Sequence, residues 1–545
     1  MTAAPDAVHL PDSLPGGAGH RAAFPLEHRL LVMVLVALSF FAYGGIRAPV
    51  PAVNEPHYLS KGKHYWIPEW CAGDFFLESS NVHLVFYQTF GLPTVWLSLE
   101  QAAWLGRAIA SLILAMGWTR LVFIILPTRW TPLWVAWGFL FLQACGNLSG
   151  EWIAGGIESK VPAYGFLFWS FAYLLERSWY RAALLAGLAI SFHPVVGLWG
   201  TMAAAGALGW QWLMILLDRK SEQKQTSIGL SPYPLITSLL ILCAAALPGL
   251  MPALSIVGVD SFEADYIQVY YRLDHHLDPI KFSHFAEGYY LALFVGWLIV
   301  GIVWRPSQAE QLFRTIVLMA AGIALVGLLA GYRTGLPEEM PAFAQRMKLL
   351  KLYPFRLFDA MLPRAAAVSA VGLVGRIAWN TTSSATAPLG RTASWGLFGT
   401  AMAISLAIPS IDRNASRMQP DQLADWKQAC EWISLHTPGN AIVLTPARES
   451  WAFKWYAQRG EFVSFKDCPQ DAEGIVKWNQ RLLWLQDWAQ RTYGDNLYSS
   501  EELRELFRTH GITHVLAGRL GPMEDKPIYQ NGTFRVYSLV NANDP

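Results

Sequence analysis

The chain has 545 residues, of which only 15% are charged, and its formal net charge is +1. Soluble proteins carry about 25% charged residues, so this composition favours a membrane protein over a soluble enzyme. A net charge so close to zero gives no electrostatic basis for binding nucleic acid, which we therefore exclude as a partner.

The first part of the chain predicts a tail followed by a membrane bundle. Residues 1–28 are rich in Pro, Gly and Ala without periodicity, which predicts a disordered cytoplasmic tail. The apolar run at 30–46 is too long for a cleaved signal peptide and predicts the first span. About eleven spans are predicted in all, each judged against the roughly 20 residues that cross a bilayer. The later ones are expected near 100–125, 131–147, 162–176, 182–198, 199–217, 234–257, 288–304, 312–331, 357–378 (whose first turns could instead be re-entrant) and 392–409.

The distribution of cations predicts the orientation. With the N-terminus inside, most short basic connections fall on the cytoplasmic side, which is the positive-inside pattern. The membrane domain, 29–411, then exposes segments 49–99, 148–161, 258–287 and 332–356 outside. Segment 332–356 is itself basic, which indicates either a break in the topology or an anionic ligand. The cations expected inside are Arg120, Arg129, Arg177, Arg181, Arg219, Lys220, Lys224, Arg305, Arg314, Arg376 and Arg391.

The C-terminal part, 412–545, has the composition of a soluble domain and is expected outside the membrane. Helices alternate with short apolar strands, and a hairpin is predicted to turn at Asn531–Gly532, which indicates a layered α/β domain. No glycine-rich phosphate loop is present, so a nucleotide site is not expected. Cys430 and Cys468 could form a disulfide in this location. The fold class predicted is therefore a mainly α, polytopic membrane bundle with a C-terminal soluble α/β domain.

The first outside segment contains two candidate catalytic acids. Glu55 follows the first span closely, and a carboxylate at the membrane surface is costly without a partner. It is expected to act as a general base or metal ligand facing a lipid-borne substrate, or else to cap a short helix. Asp74 is the second candidate acid, and His57 is a candidate substrate contact.

The second outside segment adds Glu158 and Lys160 at the start of a span. Lys160 would bind phosphate and Glu158 would bind sugar hydroxyls or assist a base, unless the two simply stabilise the helix start. His193 precedes Pro194 in an apolar run and either contacts substrate or packs in the bundle.

Two further segments carry candidate binding residues. Arg272 and His275 are expected to face substrate; the pair His275–His276 lies between two aspartates, but adjacent histidines rarely reach one ion, so no metal ligands are assigned. In the basic segment, guanidinium groups suit phosphate geometry, although lipid head groups are the alternative partner. These guanidinium groups belong to Arg333, Arg346 and Arg356.

An early extracytoplasmic acid, many spans and a terminal α/β domain together resemble the GT-C superfamily of membrane glycosyltransferases. The stretch Asn54–Tyr58 is similar to the acidic motif that follows the first helix there. No clear Asp-x-Asp or Glu-x-Asp pair is present in this segment, so a divalent metal is left open as a cofactor. The chain more closely resembles an uncharacterised bacterial family with a domain-of-unknown-function label, in the stretches Asn54–Leu59, Gly73–Leu77, Gly156–Lys160, Arg272–Pro279, Ala429–Ile433 and Leu444–Pro446.

The resemblance implies an enzyme of the bacterial inner membrane. It would transfer a sugar from a polyprenyl-phosphate carrier to an extracytoplasmic glycan, lipid or protein acceptor. Glu55 would deprotonate the acceptor with help from Asp74 or Glu158, and the cations would stabilise the departing phosphate.

Two other functions are weighed against transfer. One is a lipid or glycan transporter or flippase, which should show internal repeats or interrupted helices, and the sequence shows no convincing repeat. The other is a non-catalytic assembly protein on the same scaffold, which would bind the carrier without turnover.

Overall fold

The computed structural model describes residues 24–217, 232–257, 261–303, 306–379, 387–518 and 522–540. The predicted fold class is confirmed, since a helical bundle is followed by a small α/β domain. The bundle and its outside segments contain α1 Leu26–Arg47, α2 Glu55–Trp66, α3 Leu84–Thr89, α4 Leu99–Ile125, α5 Thr131–Cys145, α6 Lys160–Leu175, α7 Trp179–Phe192, α8 Pro194–Leu217, α9 Pro232–Val257, α10 Phe262–Tyr266, α11 Asp274–Leu277, α12 His284–Val303, α13 Gln308–Gly331, α14 Phe343–Lys351, α15 Arg356–Trp379 and α16 Ala387–Ala407.

Within the described ranges, eight helices are long and apolar enough to cross a membrane. These are α1, α4, α8, α9, α12, α13, α15 and α16. The apolar helices α5 and α7 have 15 and 14 residues, and α6 has 16, all short of the roughly 20 that cross a bilayer upright. The total of about eleven spans and the orientation stay predictions.

The structure corrects two predicted boundaries and decides between the alternatives at a third. The helix expected over 182–198 is wrong, because α7 ends at Phe192 and Pro194 begins α8, leaving His193 extended between them. Proline lacks an N–H and disfavours a helical residue before it, which explains the break. The start of the span at 357–378 is a regular part of α15, without a re-entrant turn. The tail ends earlier than predicted, since α1 begins at Leu26; residues 1–23 and the cations Arg219, Lys220, Lys224 and Arg305 lie outside the described residues.

Glycines allow the bundle helices to approach closely. A Cβ on Gly117 of α4 would lie 2.2 Å from the carbonyl oxygen of Gly165 on α6. A Cβ on Gly249 of α9 would lie 1.9 Å from the carbonyl oxygen of Ser191 on α7. Small residues at such crossings are typical of membrane helices, where packing replaces the hydrophobic effect.

The C-terminal domain is built on a five-stranded sheet of order β2-β1-β3-β5-β4. Strand β1 is parallel to β2 and β3, whereas β5 is antiparallel to β3 and β4. The elements are α17 Pro420–His436, β1 Ile442–Leu444, α18 Phe453–Ala457, β2 Gly460–Glu461, α19 Ala472–Thr492, α20 Ser500–His510, β3 His514–Ala517, β4 Tyr529–Gln530 and β5 Arg535–Ser538. The predicted hairpin is therefore present at Asn531–Gly532.

Each face of this sheet has its own apolar core. Val515 of β3 packs with α19 and α20, whereas the next residue, Leu516, packs with α17 and α18, as the alternation of a strand requires. Cys430 belongs to the second core and Cys468 to the first, and both thiols are free. The disulfide considered from the sequence is therefore absent from the structure.

Candidate active site: a cavity between the bundle and the C-terminal domain

A cavity of about 1370 Å³ lies where segments that connect the bundle helices meet the C-terminal domain. Seven of the site residues predicted from the sequence line it: His57, Glu158, Lys160, His193, Arg272, His275 and Arg356. Four others do not form part of its wall: Glu55, Asp74, Arg333 and Arg346.

A compact group of four charges, which we call the acid–cation cluster, lies in the wall and comprises Glu151, Glu158, Lys160 and Arg356. Lys160 Nζ is 3.4 Å from Glu151 Oε2 and 3.4 Å from Glu158 Oε2. Arg356 Nε is 3.1 Å from Glu151 Oε2. Two cations thus face two carboxylates, so the cluster is electrically balanced.

The loop that carries Glu151 is held by Asp359 of α15. The two Asp359 oxygens accept from the backbone N–H groups of Leu148, Ser149 and Glu151 at 2.7, 2.8 and 3.0 Å. Asp359 is buried, and a buried carboxylate is stable only with such partners. Asp359 therefore fixes the position of Glu151 against Lys160 and Arg356.

Glu151 has the properties of a proton acceptor. Its Oε1 is buried and accepts no hydrogen bond within the described part of the chain. The nearby Tyr164 hydroxyl donates to the Arg356 carbonyl at 3.2 Å and also interacts with the Glu151 carboxylate. Burial raises the pKa of Glu151 above the ordinary 4.5, although Arg356 and Lys160 act in the opposite direction. A carboxylate with a free lone pair and a raised pKa suits general-base catalysis.

Glu151 was missed as a catalytic candidate from the sequence. The available signal was an acid four residues before Gly155 and seven before Glu158, in a segment already predicted to be outside.

Two histidines lie beside the cluster. Arg356 Nη1 donates to His193 Nε2 at 3.0 Å, which requires an unprotonated Nε2. His83, which the sequence did not suggest, contacts Ser159 Oγ at 3.2 Å and the Tyr58 hydroxyl at 3.3 Å. Burial lowers the pKa of His83 to about 3, so this imidazole is neutral.

Another part of the wall carries two cations, Arg272 and Lys466, that form no ion pair with a described carboxylate. Arg272 Nη2 donates to the Lys466 carbonyl at 2.8 Å, and the Arg272 guanidinium lies 5.1 Å from the centroid of the Phe465 ring. Its buried Nε has no partner among the described residues. Lys466 Nζ donates to Asn54 Oδ1 at 2.6 Å. Burial and the neighbouring Arg272 lower the pKa of Lys466 from 10.5 to about 8.

Glu55, the leading catalytic candidate from the sequence, has a structural role instead. Arg107 Nε and Nη2 donate to its two oxygens at 2.6 and 2.8 Å. The N–H groups of Ala52 and Ile157 also donate to it, at 2.7 and 2.8 Å. Glu55 is fully buried with both oxygens occupied, so the expectation that it faces a substrate is wrong. It joins α1, α2 and α4 to the loop before α6.

Asp74, the second candidate acid, attaches the C-terminal domain. Its Oδ2 accepts from the Glu461 N–H at 2.9 Å and lies 3.4 Å from Lys454 Nζ. Lys454 also contacts Glu461 at 3.0 Å and Asp467 at 2.6 Å. Asp467 in turn contacts His57 Nδ1 at 3.1 Å. We call this buried group the docking network, and the expectation of a catalytic Asp74 is wrong because its carboxylate belongs to it.

The three arginines predicted to bind phosphate lie in different surroundings, and only one of them lines the cavity. Arg333 donates to both oxygens of Asp278 at 2.8 and 2.6 Å, and Arg346 is half-buried and donates to the Tyr332 carbonyl at 3.3 Å. Both lie away from the cavity wall, so their predicted phosphate role does not match their position. Arg356 alone of the three reaches the cavity.

The adjacent histidines have separate partners. His275 Nδ1 lies 3.3 Å from Asp274 Oδ1 at the exposed edge of the cavity. His276 Nδ1 lies 2.5 Å from the Ser149 carbonyl, and burial lowers its pKa to about 3. Across the described residues, no group of three or more His, Cys, Asp or Glu side chains is arranged to hold a metal ion.

Comparisons with known proteins give a partial family match and two similar structures. Residues 424–485 match the family model described as "Domain of unknown function (DUF6798)". ArnT from Cupriavidus metallidurans bound to undecaprenyl phosphate matches with a TM-score of 0.47 and 12% identity, over 95% of this chain and 99% of that one. The same protein in the apo state matches with a TM-score of 0.48 and 11% identity, over 94% and 98%. No curated protein matches in sequence. Because both TM-scores are below 0.5, we base the function proposed below on the cavity residues alone.

Proposed function

We propose that the chain is a membrane glycosyltransferase that moves a sugar from a polyprenyl-phosphate carrier to an extracytoplasmic acceptor. The supporting observation is Glu151, a buried carboxylate with one free oxygen that lies beside two cations in a large cavity. The proposal includes location in a bacterial inner membrane, with the N-terminus inside and the cavity and C-terminal domain outside.

The cavity has an apolar end suited to an isoprenoid chain. Leu198 of α8 and Leu250, Ala253 and Leu254 of α9 line it. Leu198 and Leu254 are 39% and 54% exposed, on helices apolar enough to face lipid. A carrier lying in the bilayer would therefore pass its chain between apolar side chains and place its phosphate in the polar part of the cavity.

The carrier phosphate would lie between Arg272 and Arg356. The Arg356 guanidinium lies 4.1 Å from the centroid of the Tyr353 ring, and the charges of both arginines act on the Tyr353 hydroxyl. Arg272 has an unpartnered Nε, and guanidinium groups bind phosphate with directional hydrogen bonds. Lys466 adds a third positive charge on the same wall.

The transfer follows from this arrangement. Glu151 takes the proton from an acceptor hydroxyl, whose oxygen attacks the anomeric carbon of the carrier-bound sugar. The bond from that carbon to the phosphate oxygen breaks, and polyprenyl phosphate leaves with the electron pair. Arg272 and Arg356 stabilise the negative charge that develops on it. Direct displacement inverts the anomeric centre. Lys160 stabilises both carboxylates, and the docking network positions the wall that carries Lys466.

The test is a turnover assay in lipid nanodiscs with a panel of polyprenyl-phosphate sugars, in which carrier release is measured. Glu151→Gln should bind the carrier but lose roughly 10²- to 10⁴-fold in release, as expected for a general base. Glu158→Gln is the matched control, because both Glu158 oxygens are already partnered, by Asn54 at 2.7 Å and Lys160 at 3.4 Å. Unchanged release by Glu151→Gln would overturn the assignment.

The same assay separates the two alternatives. A non-catalytic assembly protein would bind the carrier and release no sugar with any variant. A flippase would move intact carrier across the bilayer, which a fluorescent carrier in sealed vesicles would show.

A further inference from the structure

Trp152 directly follows Glu151 in the chain and lies in the wall of the same cavity. It is partly exposed, whereas Glu151 is buried. The transfer proposed above gives this side chain no role. A large aromatic ring in the wall of a substrate cavity provides a rigid apolar surface, so its surroundings indicate what it could bind.

The Trp152 ring is held in place by a glycine. A Cβ on Gly155 would lie 2.8 and 2.9 Å from the indole atoms Cζ3 and Cε3 and 3.3 Å from Cη2. The outer edge of the six-membered ring therefore lies directly against the Gly155 backbone. Gly155 is itself confined by α1, because a Cβ on Gly44 would lie 2.7 Å from the Gly155 carbonyl oxygen. The fold thus sets the position of the ring before any ligand binds.

Lys160 connects this ring to the proposed base. Its Nζ lies 4.1 Å from the centroid of the Trp152 ring and 3.4 Å from Glu151 Oε2. The same carboxylate oxygen lies 3.1 Å from Arg356 Nε. A molecule that packs on the ring would therefore lie beside both the base and the proposed site of the carrier phosphate.

The indole also has a hydrogen-bond donor that the fold does not use. Gly155 contacts the six-membered ring on the side remote from Nε1, and the Trp152 N–H donates to no residue in the described part of the chain. An apolar ring with an unused donor at its edge suits a sugar. The C–H groups of a sugar pack against the negative face of an aromatic ring, and its hydroxyl groups accept from an indole N–H.

We propose that Trp152 is the surface on which the sugar of the carrier packs, and that it selects a pyranose ring with C–H groups along one face. The inference rests on the function proposed above. With the carrier phosphate at Arg272 and Arg356, the sugar bonded to that phosphate lies beside Glu151. Packing on the fixed ring then holds the anomeric carbon close to the acceptor oxygen that Glu151 deprotonates.

The test compares the binding of polyprenyl-phosphate hexoses with that of bare polyprenyl phosphate, using the full-length protein in lipid nanodiscs. The wild type should bind at least one hexose carrier more tightly than the bare carrier. Trp152→Leu keeps an apolar side chain without the ring. It should weaken binding of that hexose carrier by roughly tenfold, as expected for the loss of an aromatic contact, and leave binding of the bare carrier unchanged.

Two further variants complete the comparison. Trp152→Phe keeps an aromatic face and should retain most of the affinity for the hexose carrier. Trp96→Leu is the matched control, because Trp96 is 74% exposed and lies outside the cavity wall. It should bind both carriers as the wild type does.

The readout distinguishes failure of this inference from failure of the proposed function. Bare and hexose carriers bound equally well by the wild type, or equal effects of Trp152→Leu on both, would overturn the role of Trp152. An increased acceptor KM in Trp152→Leu with unchanged binding of the hexose carrier would also overturn it, because the acceptor would then be the group on the ring. Binding of neither carrier by the wild type would instead overturn the transferase.

Discussion

Glu55 and Arg107 form a buried bidentate pair, with Arg107 Nε and Nη2 donating to the two carboxylate oxygens at 2.6 and 2.8 Å. The side chains are 0% and 2% exposed, so neither charge has water as a substitute partner. The pair joins the segment after α1 to α4, within the helical bundle. Because both side chains are buried and bonded to each other, the pair stabilises the fold and does not take part in catalysis.

We therefore expect Arg107→Met to destabilise the protein by about 3–5 kcal/mol, the usual cost of leaving a buried charge without its partner. Thermal unfolding in detergent, followed by tryptophan fluorescence, measures this. The double variant Glu55→Leu with Arg107→Met removes both charges and should recover much of the loss. An Arg107→Met protein as stable as the wild type would contradict the structural role.

The positions of the helices were largely predictable from apolar runs, because burial in lipid requires a long apolar segment whatever the tertiary structure. The start of α8 was not, since the apolar run continues through Pro194, and only the backbone restriction at proline divides it. The alternation of helices and strands likewise predicts the α/β domain, although not the order of the strands in its sheet.

The site was less predictable, because its residues meet only after folding. The sequence predicted that Glu55 closely follows the first span, but nothing in it indicates the partner, Arg107, which lies 52 residues away in an apolar helix. Glu151 is positioned by Asp359, which lies 208 residues later. The residue types and their location predicted that acids in these loops take part in catalysis. Only the contacts in the folded protein distinguish a carboxylate whose oxygens are all hydrogen-bonded from one that has a free oxygen.

The raised pKa of Glu151 has a consequence for the pH dependence of turnover. A general base works only when deprotonated, so release should fall as the pH drops through a value above the ordinary 4.5. The folded protein holds this proton more tightly than the unfolded chain, so the contribution of Glu151 to stability declines as the pH rises from 4.5 through the raised value. The pH profile of carrier release measures the first effect. If carrier release by Glu151→Gln falls in the same way at low pH, a group other than Glu151 causes the decrease.

Substitution of Lys454 tests whether the docking network attaches the C-terminal domain to the bundle. Burial would lower the pKa of Lys454, but Asp467, Asp74 and Glu461 raise it well above 10.5, so it remains charged. Lys454→Met would leave these carboxylates buried without a cation, at a cost of about 3–5 kcal/mol. We expect faster hydrogen exchange in α2 and in the 408–419 linker. Lys477, exposed and paired with Glu473 at 2.5 Å, is the control.

Lys477→Met should change stability by less than about 0.5 kcal/mol, because exposed pairs contribute little. Equal exchange rates in the two variants would show that the domain is held by apolar contacts instead.

The acid–cation cluster also makes a prediction about metals. Lys160 already lies between the Glu151 and Glu158 carboxylates, 3.4 Å from each, where a divalent cation would have to displace an ammonium group. We expect carrier release to be insensitive to EDTA and to added Mg²⁺ or Mn²⁺. Activity lost with EDTA and restored by one of these ions would contradict this. Release with and without chelator, measured on the same preparation, is the test.

The charge of Lys466 predicts how carrier affinity changes at alkaline pH. Its pKa is lowered to about 8 by burial and by Arg272, so it is charged below that pH and loses its charge as the pH rises above it. Because it belongs to the wall proposed to hold the carrier phosphate, carrier affinity should be highest below pH 8 and weaken above it. Lys466→Arg keeps its charge throughout and should remove this alkaline limb, whereas Lys466→Met should bind weakly at every pH. Titration of a fluorescent polyprenyl phosphate from pH 6 to 10 measures this, and an unchanged limb in Lys466→Arg would place the phosphate elsewhere in the cavity.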